Sequence, residues 1–352
     1  MGSDKRVLVT GASGYVGARL IPGLLEEGYQ VRAGFTDPAK AERFWWHDQV
    51  EVVALDVLDP GTVDAAMQGV DALLYLVHSM ASDDFAEKDR KAARIVADAA
   101  LAAGVSRIVY LSGIVPDGEL SEHLKSRLEV EEILTASGIS TITLRAAVVV
   151  GAGSTSFEII RQISERMPVH TIPSWMNSTV QPIAVVDVIE AIIGAIEVDG
   201  PSRHFDVAGP DRLPYADLLD RYSDIAGLTR PQVGLPGIGS DTVGVLAGLI
   251  TDVPSATVEA LIESLHHDMV AAEDDFVADL MPADHRLVGV DEGFRRSLAD
   301  RPANVDPRSL DPMAAMPFDP DWSGGEGGGL GSAVAGVASV LRSIAVRFNR
   351  DS

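Results

Sequence analysis

The sequence predicts an α/β protein built on a doubly wound parallel sheet, with a smaller, mostly helical C-terminal lobe and a flexible tail. Over the first 150 residues, apolar strand segments alternate with helical segments. These strands are apolar throughout, which is typical of parallel strands covered by helices on both faces. A glycine-rich turn joins the first strand to the first helix, the usual start of such a fold.

The elements follow one another in a regular order. Strands are predicted at 6–10, 30–35, 50–55, 72–77, 107–111 and 141–150, and helices at 15–27, 38–45, 60–68, 84–103 and 122–137. Gly28 ends the first helix. A strand then leads into a helix over 180–196, with Asp187 as its cap, and a further strand covers 203–209.

The later part of the chain is different in composition. From residue 213 onward it is mainly helical, with an apolar stretch at 232–262. Residues 301–329, rich in Pro, Gly and Asp, are predicted to be a flexible linker to a last helix at 330–348. This pattern divides the chain into a nucleotide-binding domain (1–208), a helical lobe for substrate or partner (209–300), and a linker with a C-terminal helix (301–352).

Composition excludes several function classes. The chain has no cysteine, which excludes disulfides, thiolate metal sites and a cysteine nucleophile. Its formal net charge of −24 repels phosphate backbones, so no nucleic-acid partner is expected. The sequence lacks the G-x-S-x-G motif that would indicate a hydrolase. No transmembrane segment or N-terminal leader is expected, which predicts a cytoplasmic location.

The stretch TGASGYVG (10–17) has the composition of a phosphate-binding loop. Gly11 allows the tight turn, Gly14 lets backbone N–H groups approach a pyrophosphate, and Gly17 lets the helix pack closely on the strand. The helix N-terminus adds a partial positive charge. A glycine-rich turn without a ligand is the alternative, but the position of the stretch between strand and helix favours binding of NAD(P).

The G-x-x-G-x-x-G spacing resembles the short-chain dehydrogenase/reductase superfamily, closest to its atypical, NmrA-like NAD(P)-binding group. Later segments match in order over about residues 5–230: ALDVLDP (54–60), YLVHSM (75–80), IVYLSG (108–113), LRAAVVVGAGS (144–154) and QPIAVVDV (181–188). The resemblance implies a Rossmann-like domain. The cofactor-binding residues that it implies are Thr10, Gly11, Ser13, Gly14, Tyr15, Val16, Gly17, Thr36, Asp56, Val57, Val77, His78 and Arg127. Singly, matches such as Asp56 or His78 also have ordinary structural explanations.

The catalytic segment departs from the family pattern. Related enzymes use a tyrosine for proton transfer and, four residues later, a lysine that holds the nicotinamide ribose. The segment HLKSR (123–127) has His123 and Arg127 in these places, and the family's catalytic serine corresponds to Ser112. The i, i+4 spacing puts His123 and Arg127 on one helix face. Histidine can act as an acid or base near neutral pH, although the nearby arginine disfavours its charged form.

Two functions follow as hypotheses. The first is an oxidoreductase with His123 and Arg127 in place of tyrosine and lysine; the apolar stretch at 232–262 indicates an apolar small-molecule substrate. The second is a non-catalytic NAD(P) sensor or scaffold that docks a partner protein.

The choice between NAD and NADP stays undecided. The second strand ends in Phe35 and Thr36, which supply neither the acidic residue that binds a ribose hydroxyl nor the basic residue that binds a 2′-phosphate. Asp37, Lys40 and Arg43 follow closely. Asp37 favours NAD, whereas Lys40 and Arg43 favour NADP.

Two remaining features have weaker implications. Glu263 and His266 lie one helical turn apart without a third ligand, so a solvated helix face rather than a metal site is predicted. Residues 330–350 are predicted to form a helix with one apolar stripe, three arginines and no acidic residue. This helix is predicted to bind weakly at a membrane surface or dock on a partner or second subunit, the alternative being that it folds back on its own lobe. The oligomeric state is left open.

Overall fold

The computed structural model describes residues 4–79, 84–235, 240–299 and 305–323. Its main sheet has seven strands, all parallel, in the order β11-β6-β5-β4-β1-β2-β3. The predicted doubly wound fold is therefore confirmed, with the order reversing between β1 and β4. In such sheets the ligand lies at this point, outside the carboxyl ends of the strands.

The strands have the following bounds. The main sheet contains β1 (Arg6–Thr10), β2 (Gln30–Phe35), β3 (Glu51–Ala54), β4 (Ala72–Tyr75), β5 (Arg107–Gly113), β6 (Ser140–Ala146) and β11 (Arg203–Val207). Three small pairs are formed by β7 (Val149–Val150) with β10 (Ile183–Ala184), β9 (Thr179–Val180) with β12 (Leu213–Pro214), and β8 (His170–Pro173) with β13 (Gln232–Leu235).

The helices have these bounds: α1 (Tyr15–Glu26), α2 (Pro60–Met67), α3 (Phe85–Ala103), α4 (Glu122–Ala136), α5 (Thr155–Arg166), α6 (Val185–Glu197), α7 (Tyr215–Ile225), α8 (Ser240–Ile250), α9 (Ser255–Ser264), α10 (Phe276–Leu280) and α11 (Val290–Ser297). None of the described helices is long and apolar enough to cross a membrane.

Both faces of the main sheet are covered. Side chains of β1 alternate between two apolar clusters: Val7 and Val9 pack with α1 and α6, whereas Leu8 packs with α2, α3 and α4. This explains why the three central positions of the strand are all apolar, since neither face meets water. With both faces covered, the carboxyl edge of the sheet is left for the loops that build the site.

The predicted strand over 141–150 is broken in two. Its first part pairs with β5 as far as Gly113 and Ala146, where β5 ends. The chain then leaves the sheet, and Val149 and Val150 pair with β10 instead. The segment predicted as a helix at 38–45 is a 3-10 helix over Pro38–Arg43.

The predicted cap of the sixth helix is wrong. The N-cap of α6 is Ala184, and Asp187 lies inside the first turn. Its buried carboxylate instead accepts hydrogen bonds from His285 Nε2 at 2.8 Å and Val288 N at 2.9 Å. Asp187 therefore fixes the loop before α11 onto α6.

The prediction of a flexible linker is wrong for residues 305–323. Met313, Met316 and Phe318 in this segment are buried. The Arg19 guanidinium on α1 donates to Pro312 O and Ala314 O and forms an ion pair with Asp319. These contacts hold the segment against α1. The helix predicted at 330–348 lies outside the described residues.

Candidate functional site

Two glycines of the loop between β1 and α1 are required by backbone geometry. Gly11 has a φ of +71°, which L side chains rarely adopt, and a Cβ there would lie 3.1 Å from Leu76 O. A Cβ on Gly17 would lie 2.4 Å from Gly11 O. Both positions need glycine for the fold of the loop itself.

Gly14 is different, because its surroundings are open. It has ordinary extended dihedral angles and is exposed, and a Cβ there would meet only Gly11 O at 3.2 Å. Ser13 beside it is also exposed. The loop thus has free space on the side on which a pyrophosphate is expected.

The first turn of α1 provides donors for an anion. The N-cap, Gly14, has no side chain to cap the backbone N–H groups of Tyr15, Val16 and Gly17. Such N–H groups, with the helix dipole behind them, bind phosphate oxygens. The loop therefore fits a dinucleotide pyrophosphate by its open space and by its free donors.

The other predicted cofactor residues lie along the carboxyl edge of the sheet. Thr10 is fully buried, and its hydroxyl donates to Leu74 O and accepts from Leu76 N, so it joins β1 to β4. Thr36 and Asp56 are exposed at the ends of β2 and β3, followed by Val57. Val77, after β4, would lie 3.4 Å from a Cβ on Gly11.

A cavity of about 840 Å³ adjoins this loop. It brings together six of the predicted residues: Tyr15, Val16, His78, Ser112, His123 and Arg127. The rest of its wall is mainly apolar and comes mostly from α5, α7, α8, α9, the segment between α5 and β9, and the segment from the end of β6 to β7. Representative apolar lining residues are Ile159, Ile163, Trp175, Leu246, Leu261 and Leu265.

The cavity opens to solvent at α8. Leu249 is 71% exposed and at the same time lines the cavity. Val245, on the same helix, is also exposed. The rim of the cavity at α8 is therefore apolar.

The α4 helix directs His123 and Arg127 to the cavity. Ser121 caps the helix by accepting from Leu124 N at 3.3 Å. Arg127 Nη1 donates to Leu111 O at 2.9 Å, which leaves other guanidinium N–H groups available at the cavity. The Ser112 hydroxyl is buried and has no hydrogen-bond partner among the described residues. Arg127 and Ser112 thus offer donors to a ligand.

His123 and His78 form a neutral pair. Their ring centroids are 5.2 Å apart, and His78 Nδ1 lies 3.7 Å from Asp89 Oδ2. Burial, the Arg127 charge and His78 together lower the pKa of His123 to about 2. Burial and Arg127 lower the pKa of His78 to about 4, although Asp89 opposes this. Both imidazoles are therefore uncharged at neutral pH.

This burial predicts a loss of stability in acid. The pKa of both histidines is lower in the folded chain than the unfolded value of about 6.5, so the unfolded chain binds more protons below that pH. Between pH 6.5 and 5, the free energy of unfolding should fall by roughly 2 kcal/mol less in His123→Gln than in the wild type. Urea unfolding at several pH values measures this difference. Parallel pH profiles for the two proteins would contradict it.

Several residues in and around the site could not be found from the sequence. Asp89, whose carboxylate lies 3.7 Å from His78 Nδ1, is not marked by any motif. His170 lines the cavity from β8, and nothing in its local sequence marked it. His266, predicted with Glu263 on one solvated helix face, instead lies beyond the end of α9 and stacks on Trp175 with the ring centroids 5.1 Å apart. Within the described ranges, no group of three or more acidic or histidine side chains is placed to hold a metal ion.

Comparison with known proteins agrees with this geometry. Residues 11–173 match the model of a family described as NAD(P)H-binding. A ceramide reductase from Caulobacter vibrioides is 26% identical over 272 residues, which is 72% of this chain and 83% of that protein.

Solved structures show the same fold at lower identity. The Citrobacter sp. triphenylmethane reductase in complex with NADP(H) is 18% identical, with a TM-score of 0.66 over 83% of this chain and 100% of that chain. An NADPH-dependent quinone oxidoreductase from Escherichia coli is 20% identical, with a TM-score of 0.65 over 82% of this chain and 98% of that chain.

Proposed function

We propose that this chain, whose residues 11–173 match the model of the NAD(P)H-binding family, is a reductase of apolar carbonyl compounds. One observation carries the proposal. A single cavity of about 840 Å³ joins the phosphate-loop end of the site to Ser112, His123 and Arg127, and continues into a mainly apolar chamber. A pocket of this size that is mostly apolar, with few polar groups at one place, is typical of a small-molecule site.

The residues present fit the cofactor. The open side of Gly14 and the free N–H groups of α1 would hold the pyrophosphate. Arg127, next to the cavity, would donate to ribose hydroxyls. When bound, the reduced nicotinamide supplies a hydride.

His123 would bind the substrate oxygen as a neutral donor. Because burial and Arg127 keep the pKa of His123 far below neutral, the ring has one N–H and no charge at pH 7. A neutral imidazole can polarise a carbonyl by donating this hydrogen bond. Ser112 would be the second donor. Hydride addition to the carbonyl carbon leaves an alkoxide, and a proton taken up from solvent completes the alcohol.

The apolar wall supports an apolar substrate. Side chains from α5, α8 and α9 surround the space beyond His123, and the rim at Leu249 is apolar as well. The relative from Caulobacter vibrioides is named for reduction of a ceramide, a lipid. A lipid-like ketone or aldehyde is therefore the proposed substrate class.

The test is oxidation of NADH or NADPH with apolar aldehydes and ketones, together with mass spectrometry of small molecules that co-purify. We expect turnover that is lost in His123→Leu with Ser112→Ala, while nucleotide binding is kept. Tight nucleotide binding without turnover of any carbonyl compound, and with a co-purifying protein partner, would instead support the sensor function.

Substitutions at His123 and at Arg127 are expected to have different effects on the affinity for NAD(P). Arg127→Ala should weaken NAD(P) binding by roughly ten- to a hundredfold, because a hydrogen bond from a charged donor is lost. His123→Ala should leave the dissociation constant nearly unchanged, since its ring faces the substrate side. Calorimetry measures both. A large loss of binding in His123→Ala alone would contradict this division.

Selectivity between NAD and NADP is expected to be below roughly a hundredfold. Asp37 is occupied as a cap, accepting from Ala39 N at 3.1 Å. Arg43 donates to Phe318 O at 2.7 Å. Lys40 has no hydrogen bond or ion pair to any residue that the structure describes, so it is the cation left for a 2′-phosphate.

Calorimetry with both cofactors measures this preference. Lys40→Ala should lower the affinity for NADP and leave that for NAD unchanged, whereas Lys125→Ala on the exposed side of α4 should change neither. A preference far above a hundredfold that survives Lys40→Ala would show that another group binds the ribose.

A further inference from the structure

His170 is a buried polar residue of the cavity wall that the proposed reaction does not use. It lies on β8, which pairs with β13, and not at the edge of the main sheet where Ser112 is the second-last residue of β5. The residue is only 1% exposed and lines the cavity. Neither ring nitrogen has a hydrogen-bond partner among the described residues.

The surroundings of His170 determine the charge and the tautomer of its imidazole ring. Burial lowers its pKa, which the nearby Arg230 reinforces and Asp220 opposes, so the ring is neutral at pH 7. A neutral imidazole has one N–H donor and one acceptor nitrogen. Asp220 Oδ1 lies 3.9 Å from Nδ1, which is beyond hydrogen-bond distance but favours the proton on Nδ1. The Nε2 nitrogen is then left as an acceptor.

An unpaired buried acceptor destabilises a fold, so such groups in native proteins call for an explanation. A ligand that fills the cavity is the natural partner here, because His170 is part of the cavity wall. Thr171 and Tyr215 also line the cavity, but much of the remaining wall is apolar.

We propose that His170 accepts a hydrogen bond from a hydroxyl group of the substrate, distant from the carbonyl that is reduced. The substrate class is then an apolar chain or ring system with a carbonyl group and a second, hydroxyl-bearing end. This inference rests on the proposed reductase function and narrows its substrate.

The test uses straight-chain methyl ketones of increasing length and their ω-hydroxy derivatives. Binding to the full chain saturated with NADP⁺ is measured by calorimetry. At one range of chain lengths, we expect the hydroxyl to tighten binding by about three- to tenfold, the range of one neutral hydrogen bond. His170→Leu should remove this gain and leave the parent ketones unaffected. His204→Leu, at an exposed position of β11, is the control.

Stability provides a second readout. If His170 serves a ligand, His170→Leu should melt at or above the wild-type temperature, because an unpaired buried polar group is removed. A purely structural pairing with Asp220 predicts a lower melting temperature instead. Should His170→Leu fail to fold, His170→Gln is the second variant. Its amide oxygen can still accept a hydrogen bond, so the gain from the hydroxyl group should be kept.

The outcomes separate the two proposals. A hydroxyl that gives no gain at any length, or a gain that persists in His170→Leu, overturns the role of His170 while ketone binding still supports the reductase. If neither series binds, the apolar substrate site is wrong, and the proposal for His170 falls with it.

Discussion

Replacement of Gly14 by valine is expected to abolish NAD(P) binding and leave the fold intact. The backbone at Gly14 is extended, and an added Cβ would meet only Gly11 O, at 3.2 Å. A valine therefore fits the chain, but its methyl groups would fill the space above the first N–H groups of α1. We expect a dissociation constant at least about a hundredfold higher than that of the wild type, a loss of roughly 3 kcal/mol.

Gly17→Ala is the matched control in the same loop. Its Cβ would lie 2.4 Å from Gly11 O, a contact that forces α1 away from the loop. We expect a clearly lower melting temperature for Gly17→Ala and a nearly unchanged one for Gly14→Val. Calorimetric titration with NADPH and thermal melts separate these effects. A wild-type dissociation constant for Gly14→Val would show that the nucleotide binds elsewhere.

The part of the site that the sequence predicted depends on short-range patterns. Gly11 and Gly17 could be recognised because a turn and a close helix approach exclude other residues within a few positions. His123 and Arg127 could be placed on one face because the helix period fixes it. The fully apolar strands indicated a sheet covered on both sides, as Val7 and Leu8 show.

The rest depends on contacts between distant residues. No local pattern marks Arg19 on α1, because its partner Asp319 lies 300 positions away in the chain. Residues 305–323 have the composition of a linker and no periodic pattern of their own. Their order comes from contacts with Arg19, which the local sequence does not show. The cavity is likewise assembled from α4, α5, α8 and α9, so its polar wall residue His170 had no local signal.

The ion pair between Arg19 and Asp319 leads to the largest expected change in stability. Its shortest N–O distance is 2.6 Å, and the two side chains are 1% and 6% exposed. The guanidinium also donates to Ala152 O and lies 4.2 Å from the centre of the Tyr15 ring. Asp319→Ala would leave a buried cation without its counter-charge, which typically destabilises by about 3–5 kcal/mol.

We therefore expect Asp319→Ala to lower the free energy of unfolding by about 3–5 kcal/mol in urea titration. Glu292→Ala, which removes the exposed ion pair with Arg295, is the control and should change it by less than about 1 kcal/mol. Arg19→Met combined with Asp319→Leu should destabilise less than the sum of the single changes, since neither charge is then buried alone. Equal effects of Asp319→Ala and Glu292→Ala would mean that the 305–323 segment does not hold α1, the helix that starts at the phosphate loop.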